Sequence, residues 1–243
     1  MALPASPTLL QRLARRVFLA NVGLPLRLLL RHLCRTRVIG TDNIPRTGRV
    51  ILASNHTSMA DPVVLQVFCP RHLTFLMTER YYQVPVAEWF FRFWGCVPVR
   101  ESGLNRRALR RGIEALRDGR ALGIFPEGRI SRDGQTHSAL RGVGLLARLG
   151  NAPVVPVGLA GIDAFLPPDH WTFRQSTITM VVGQPIPAAD AGRADLPERV
   201  TQAIRRCVQV ARTRSGQPQV PEGATSTSQA EAHEPAPASP ELP

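Results

Sequence analysis

A histidine and an aspartate five residues apart, in SNHTSMADP (residues 54–62), are the first side chains of this sequence whose types suit joint chemistry. Neutral imidazole takes up a proton near neutral pH, and a carboxylate bonded to its other ring nitrogen fixes the tautomer and stabilises the imidazolium. On one continuous helix, residues five apart point about 140° away from each other, so the pair needs a turn. The sequence supplies one. VILAS (residues 50–54) has the short, apolar character of a buried strand, and Asp61-Pro62 reads as a helix start, with Asp61 as N-cap of PVVLQVF. His56 then lies in a strand-to-helix connection, where imidazole and carboxylate are free to meet. On local grounds alone a turn histidine followed by a capping aspartate is more commonly structural, and the rest of the chain has to decide.

Three further segments fall at or near predicted strand ends, where α/β folds place their sites: GCVPVRESG (95–103), FPEGRISRDG (125–134) and NAPVVPVGLAG (151–161). Singly each is weak, since Arg100 reads equally as a surface charge and PEG as a plain turn. Their combination and order carry more.

Together with NHTSMAD and the lead-in IGTDNIPRTGRVILASNH, the set resembles the glycerolipid acyltransferase family over residues 38–187: the lysophosphatidic acid acyltransferases (1-acylglycerol-3-phosphate O-acyltransferases) and their relatives. His56 and Asp61 match the family's His-x4-Asp pair, which implies a general base and its orienting carboxylate. The resemblance implies transfer of a fatty acyl group from a thioester, acyl-CoA or acyl-carrier protein, to the free hydroxyl of lysophosphatidate or a related lysophospholipid in phospholipid biosynthesis. No Ser or Cys is singled out as an acyl carrier, so direct attack by the acceptor is expected. Arg100 corresponds to the basic residue of the second block, and Glu127, Gly128 and Ser131 to positions of the third, which imply binding of the glycerol phosphate; Pro156 matches the final block. No metal or nucleotide cofactor is called for. One departure stands out: many relatives read PEGTRS, whereas here Pro126-Glu127-Gly128 is followed by Arg129, Ile130 and Ser131, moving the Arg one place earlier. Arg129 is still expected to join Arg100 on the acceptor phosphate, because Gly128 lets the loop re-aim its neighbour. The EGRIS form also looks like relatives that reacylate other lysophospholipids, which opens an alternative acceptor in phospholipid remodelling. A lipid hydrolase using the same pair is disfavoured, for there is no G-x-S-x-G elbow.

The elements that must position these residues alternate. Strands are expected at RVILAS, HLTFLM, ALGIFP, PVVPVGLA and STITMVVG, with helices over 62–69, 104–118, 139–149 and 196–213. With 243 residues, 44% of them hydrophobic, the chain suits one α/β domain: a central mixed sheet covered by helices, preceded by N-terminal interfacial helices. On helix 104–118, Leu109, Ile113 and Leu116 form the inner stripe and the arginines a basic outer side.

The formal net charge is +12 and every one of the 30 basic residues is Arg. Residues 1–37 hold seven Arg and no acid, whereas the segment after residue 213 holds one Arg and four Glu. Anionic partners follow, a membrane surface or a phosphorylated substrate; nucleic acid is the poorer match, because no zinc spacing or RNA-binding aromatic motif accompanies the charge. The apolar run from Val17 is broken by Pro25, Arg27 and Arg31 and is too short to span a bilayer. Basic residues alternating with Leu, Phe and Val fit helices lying in the interface of an anionic membrane, at its cytoplasmic face, in a peripheral or monotopic protein. Packing of the same helices on their own domain is the other open reading. Cys34, Cys69, Cys96 and Cys207 show neither metal spacing nor a disulfide pattern, which suits a reducing compartment. The expected organisation is a membrane-associated segment (1–36), an acyltransferase domain (37–213) and a Pro/Ser/Ala/Glu-rich disordered tail (214–243).

Overall fold

The computed structural model describes residues 24–78, 96–99, 106–126, 141–167 and 174–218. Among them, helix α1 (Leu24–Leu33) leads into strand β1 (Arg35–Ile39), β2 (Val50–Ser54), α2 (Asp61–Phe68), β3 (Leu73–Thr78) and β4 (Val97–Val99). Then follow α3 (Arg106–Arg117), β5 (Ala121–Ile124), α4 (Arg141–Gly150), β6 (Val154–Ala160), the short α5 (Ile162–Phe165), β7 (Thr177–Val182) and α6 (Leu196–Ser215). The strands form one sheet in the order β1-β7-β6-β2-β5-β3-β4. Every neighbouring pair is parallel except β6 with β7, so the sheet is mixed, as the sequence implied.

Strands β2, β5 and β6 are buried along their whole length, which explains why VILAS, ALGI and VVPVGLA read as apolar runs rather than as alternating patterns. Side chains of successive residues still point to opposite faces. Val50 and Leu52 join a core with Leu65, Phe68, Phe75 and Met180, under α1 and α2. Ile51 and Ala53 join the other, with Leu116, Leu122, Leu146, Ile204 and Val208 of α3, β5, α4 and α6. The expected inner stripe of α3 is present: Leu116 is buried, with Leu109 and Ile113 packed against the same core. The longest described helix, α6, crosses β6 so closely that a Cβ at Gly158 would overlap the backbone of Cys207 and Val208; only glycine fits there.

Three differences from the sequence reading have physical causes. Strand β1 escaped notice because it is an edge strand in which exposed and half-buried positions alternate; RTRVI carries two Arg, which also guard the edge against further pairing. At the C-terminus, α6 runs past residue 213 to Ser215 and is capped by Gly216 in the left-handed region, φ 75°. Gln217 then takes a hydrogen bond from Gly161 N–H and gives one to Asp163, so the packed part of the chain reaches beyond the expected boundary. On the N-terminal side, α1 follows the reading of helices packed on their own domain. Leu30 and Cys34 are buried, and the Arg27 guanidinium donates to the Val67 carbonyl while lying 5.6 Å from the Phe68 ring centroid, so α1 packs on the domain. Its other side leaves Leu24, Leu28, Leu29 and Leu33 exposed. No described helix is long and apolar enough to cross a membrane.

Candidate active site

Strands β2 and β5 are parallel neighbours in which Ala53 faces Ile124, so both leave the sheet at the same, C-terminal end, one toward His56 and the other toward Phe125. β4 runs parallel to β3, and β3 to β5, so its C-terminal residue Val99 lies toward that end too. This is the end at which open α/β sheets hold ligands.

The connection from β2 to α2 is fixed residue by residue. The Asn55 carboxamide donates to the Leu159 carbonyl (2.9 Å) and accepts from the Leu159 N–H (2.8 Å), continuing the pairing of β2 with β6 by one residue through a side chain. Ser58 Oγ donates to the Leu166 carbonyl (2.7 Å) and accepts from the Ala60 N–H (3.2 Å). Between these anchors, His56 Nδ1 lies 2.9 Å from Asp61 Oδ2. The same oxygen accepts from the Thr57 N–H (2.6 Å) and the Ser58 N–H (2.8 Å). Asp61 is fully buried, whereas the His56 side chain keeps 15% of its surface exposed.

Asp61 was expected as an N-cap, and here the structure corrects the sequence. Ala60 occupies the cap, Asp61 is the first helical residue, and no side chain caps the helix. The carboxylate instead turns back onto the loop, because two backbone N–H groups and the imidazole converge on one of its oxygens. Facing an ionised carboxylate, which only accepts, Nδ1 is assigned as the donor, and in the neutral imidazole this tautomer keeps its lone pair on Nε2. Nε2 has no hydrogen-bond partner among the described residues. An imidazole held in this way is able to take a proton at Nε2 from a group arriving at the strand ends.

The ring is also covered on one face. Phe125, immediately after β5, stacks on it with centroids 4.2 Å apart and planes 23° from parallel. Asn55, Ser58 and Phe125 were not singled out from the sequence; the first two sit in the NHTSMAD string and the third opens FPEG, so motif membership was the available signal. Pro156 lies within β6 opposite Ala53, and its carbonyl accepts from the Gly183 N–H. Arg100, Glu127, Gly128, Arg129 and Ser131 lie outside the described residues.

A mixed sheet with a paired histidine and aspartate at its strand ends is accompanied by a family match: the Acyltransferase family model covers residues 35–160, and the chain belongs to that family. It is an enzyme that transfers acyl groups. Its relatives point more narrowly. It is 23% identical over 174 residues to the 1-acyl-sn-glycerol-3-phosphate acyltransferase of Bacillus subtilis, covering 70% of this chain and 84% of that protein. To the enzyme of the same name from Borreliella burgdorferi it is 30% identical over 137 residues, 53% of this chain and 52% of that one. Among solved structures, the 1-acyl-sn-glycerophosphate (LPA) acyltransferase PlsC of Thermotoga maritima superposes with a TM-score of 0.72 at 26% identity, over 82% of each chain.

Proposed function

We propose that this protein moves a fatty acyl group from an acyl thioester, acyl-CoA or acyl-carrier protein, onto the free hydroxyl of lysophosphatidate, with His56 as general base. The observation that carries this reading is the 2.9 Å contact of His56 Nδ1 with buried Asp61, which leaves Nε2 without a partner among the described residues at the C-terminal strand ends. The names of the relatives support the acceptor. The hydroxyl gives its proton to Nε2 as its oxygen attacks the thioester carbonyl, and Asp61 stabilises the imidazolium. Collapse of the tetrahedral intermediate breaks the C–S bond, and the thiolate recovers the proton from the imidazolium. The ester and free thiol account for all atoms, and neither a metal nor a further cofactor takes part.

On this reading Arg100 and Arg129 bind the acceptor phosphate, Gly128 lets backbone N–H groups approach it, and Glu127 and Ser131 position the glycerol or an Arg. The enzyme works as a peripheral or monotopic protein on the cytoplasmic face of an anionic membrane, held by its N-terminal residues together with the exposed side of α1, with catalysis in the domain that α6 closes at Ser215 and a tail beyond it. The EGRIS sequence favours a second reading, in which the acceptor is another lysophospholipid. Purified protein assayed with a panel of lysophospholipids against both donor types separates the two. Selective acylation of lysophosphatidate supports the first, a preference for another head group the second, and no transfer to any lysolipid overturns both.

A further inference from the structure

One hydrogen bond fixes one edge of a flat ring and leaves it free to swing about that edge. For His56 the Asp61 bond at Nδ1 sets where the ring is held, but not the direction in which Nε2 looks. The second constraint is aromatic. Phe125 lies flat against the imidazole at 4.2 Å, and Phe75 is in turn nearly parallel to Phe125 in an offset arrangement, 8° between planes and 6.1 Å between centroids. Phe75 is buried, opposite Gly123 in the β3–β5 register, and a Cβ at Gly123 would run into the Phe75 ring. Gly123 therefore makes room for Phe75, Phe125 packs beside Phe75 in the same core, and Phe125 covers one face of the histidine. The stack ties the imidazole to β3 and β5 as the hydrogen bond ties it to α2.

We propose that Phe125 is a positioning residue for acyl transfer, which holds the His56 ring plane so that Nε2 meets the acceptor hydroxyl in line with the thioester. This deepens the reading of His56 as the base and rests on it. Small misplacements of reacting groups cost on the order of a hundredfold in rate, whereas a residue outside the substrate sites leaves ground-state binding alone. The effect of removing the flat ring should fall on kcat.

The test combines kinetics with the histidine NMR spectrum of the full-length protein. Phe125→Leu, apolar but not flat, should lose about ten- to a hundredfold in kcat, with the KM values of donor and acceptor within about twofold of their original values. Phe125→Tyr should restore most of the rate. In the unsubstituted protein the His56 ring protons, assigned by their disappearance in His56→Ala, should lie upfield through the ring current of Phe125, and should move downfield in Phe125→Leu. The spectrum of the unsubstituted protein decides even if Phe125→Leu does not fold, for an unshifted His56 resonance removes the stack and the proposal with it. Equal loss in the Leu and Tyr variants, an unchanged kcat in Phe125→Leu, or a change confined to KM overturns it as well. If His56→Ala itself keeps its turnover, the base assignment fails instead; if His56→Ala is inactive and Phe125→Leu is not impaired, only the positioning role fails.

Discussion

Asn55 and Leu159 are joined by two hydrogen bonds, side chain to backbone in both directions, at 2.9 and 2.8 Å. The residue next to His56 thus acts as one more rung between β2 and β6. Replacing Asn55 by Ala strands a buried N–H and a buried carbonyl on Leu159, at roughly 1–3 kcal/mol for each unpaired group. Asn55→Asp should do no better, since it keeps an acceptor for the N–H but turns an anion toward the carbonyl. Urea unfolding should show the loss in both variants, and kcat should fall with it because the histidine has lost its anchor.

His56 and Asp61 should separate chemistry from folding. If His56 is the base, His56→Ala removes the proton acceptor and should cost about 10²–10⁴ in kcat, with the domain still folded by circular dichroism. Asp61→Asn keeps an oxygen for the Thr57 and Ser58 N–H groups but loses the carboxylate that steadies the imidazolium, so a folded, nearly inactive enzyme is expected. Asp61→Ala leaves those two N–H groups unpaired, and should lower stability by about 2–5 kcal/mol as well. Turnover close to normal in folded His56→Ala would sink the base assignment.

The central strands were legible because burial on both faces leaves unbroken apolar runs such as VILAS and VVPVGLA, and α3 because its stripe keeps helical spacing. The edge strand RTRVI was not, since solvent on one side gives it the look of a loop. At the site, the resemblance of NHTSMAD to a family motif singled out His56 and Asp61, which lie 2.9 Å apart, but the direction of the carboxylate was misread. Capping preference describes a helix end in isolation. Here the loop's own N–H groups and the imidazole compete for that oxygen and win. Phe125 was invisible as a partner of His56, because stacking depends on the β2–β5 register and no local pattern encodes that.

The cysteines should behave unequally. Burial pushes the Cys69 thiol up to about 11, against the backbone hydrogen bond and positive charge of Arg71, and burial likewise pushes Cys207 up to about 11. Cys34 is buried and Cys96 half-buried, and all four are free. At pH 8 a thiol with so high a pKa is about one part in a thousand thiolate. A disulfide reagent should therefore modify Cys96 first in the native enzyme and all four cysteines in denaturant. The shifts also set a pH trend. The unfolded chain releases these protons near 9 and the folded one near 11, so stability should decline as pH rises through that window, measurable as a falling urea midpoint.

On α1, the inner and outer sides predict different outcomes. Deleting residues 1–36 would remove buried Leu30 and Cys34, the Arg27 bonds to Val67 and the start of β1, so loss of membrane binding in that variant would not separate anchoring from unfolding. The clean test is on the exposed side: Leu24 and Leu28, each 57% exposed, changed together to Ser. Each leucine gives up part of the roughly 1.5–3 kcal/mol that full burial supplies, so affinity for anionic vesicles should drop about tenfold or more with melting unchanged. High salt should weaken the binding of the original protein without abolishing it, because charge attraction is screened and apolar insertion is not. Equal sedimentation of the double variant and the original would remove α1 from the anchor.

The shifted arginine of EGRIS gives the sharpest test of acceptor recognition. Adjacent loop residues ordinarily project in different directions, so moving an Arg from the place of Ile130 to 129 would aim it away from a pocket shared with Arg100 unless the backbone turns differently. Gly128, just before it, supplies that freedom, since it tolerates conformations closed to other residues. If Arg129 reaches the acceptor phosphate, Arg129→Ala removes a charge-assisted bond made equally in the ground and transition states. The KM for the lysophospholipid should rise, by about tenfold for a bond to a charged group worth roughly 1.5 kcal/mol, while kcat and the donor's KM stay nearly constant. Arg129→Lys should recover part of the loss, because a lone ammonium keeps the charge but not the paired geometry of a guanidinium. Steady-state kinetics with each substrate varied in turn decides the matter: an acceptor KM that does not move in folded Arg129→Ala assigns this Arg to the loop's structure and leaves the phosphate to Arg100.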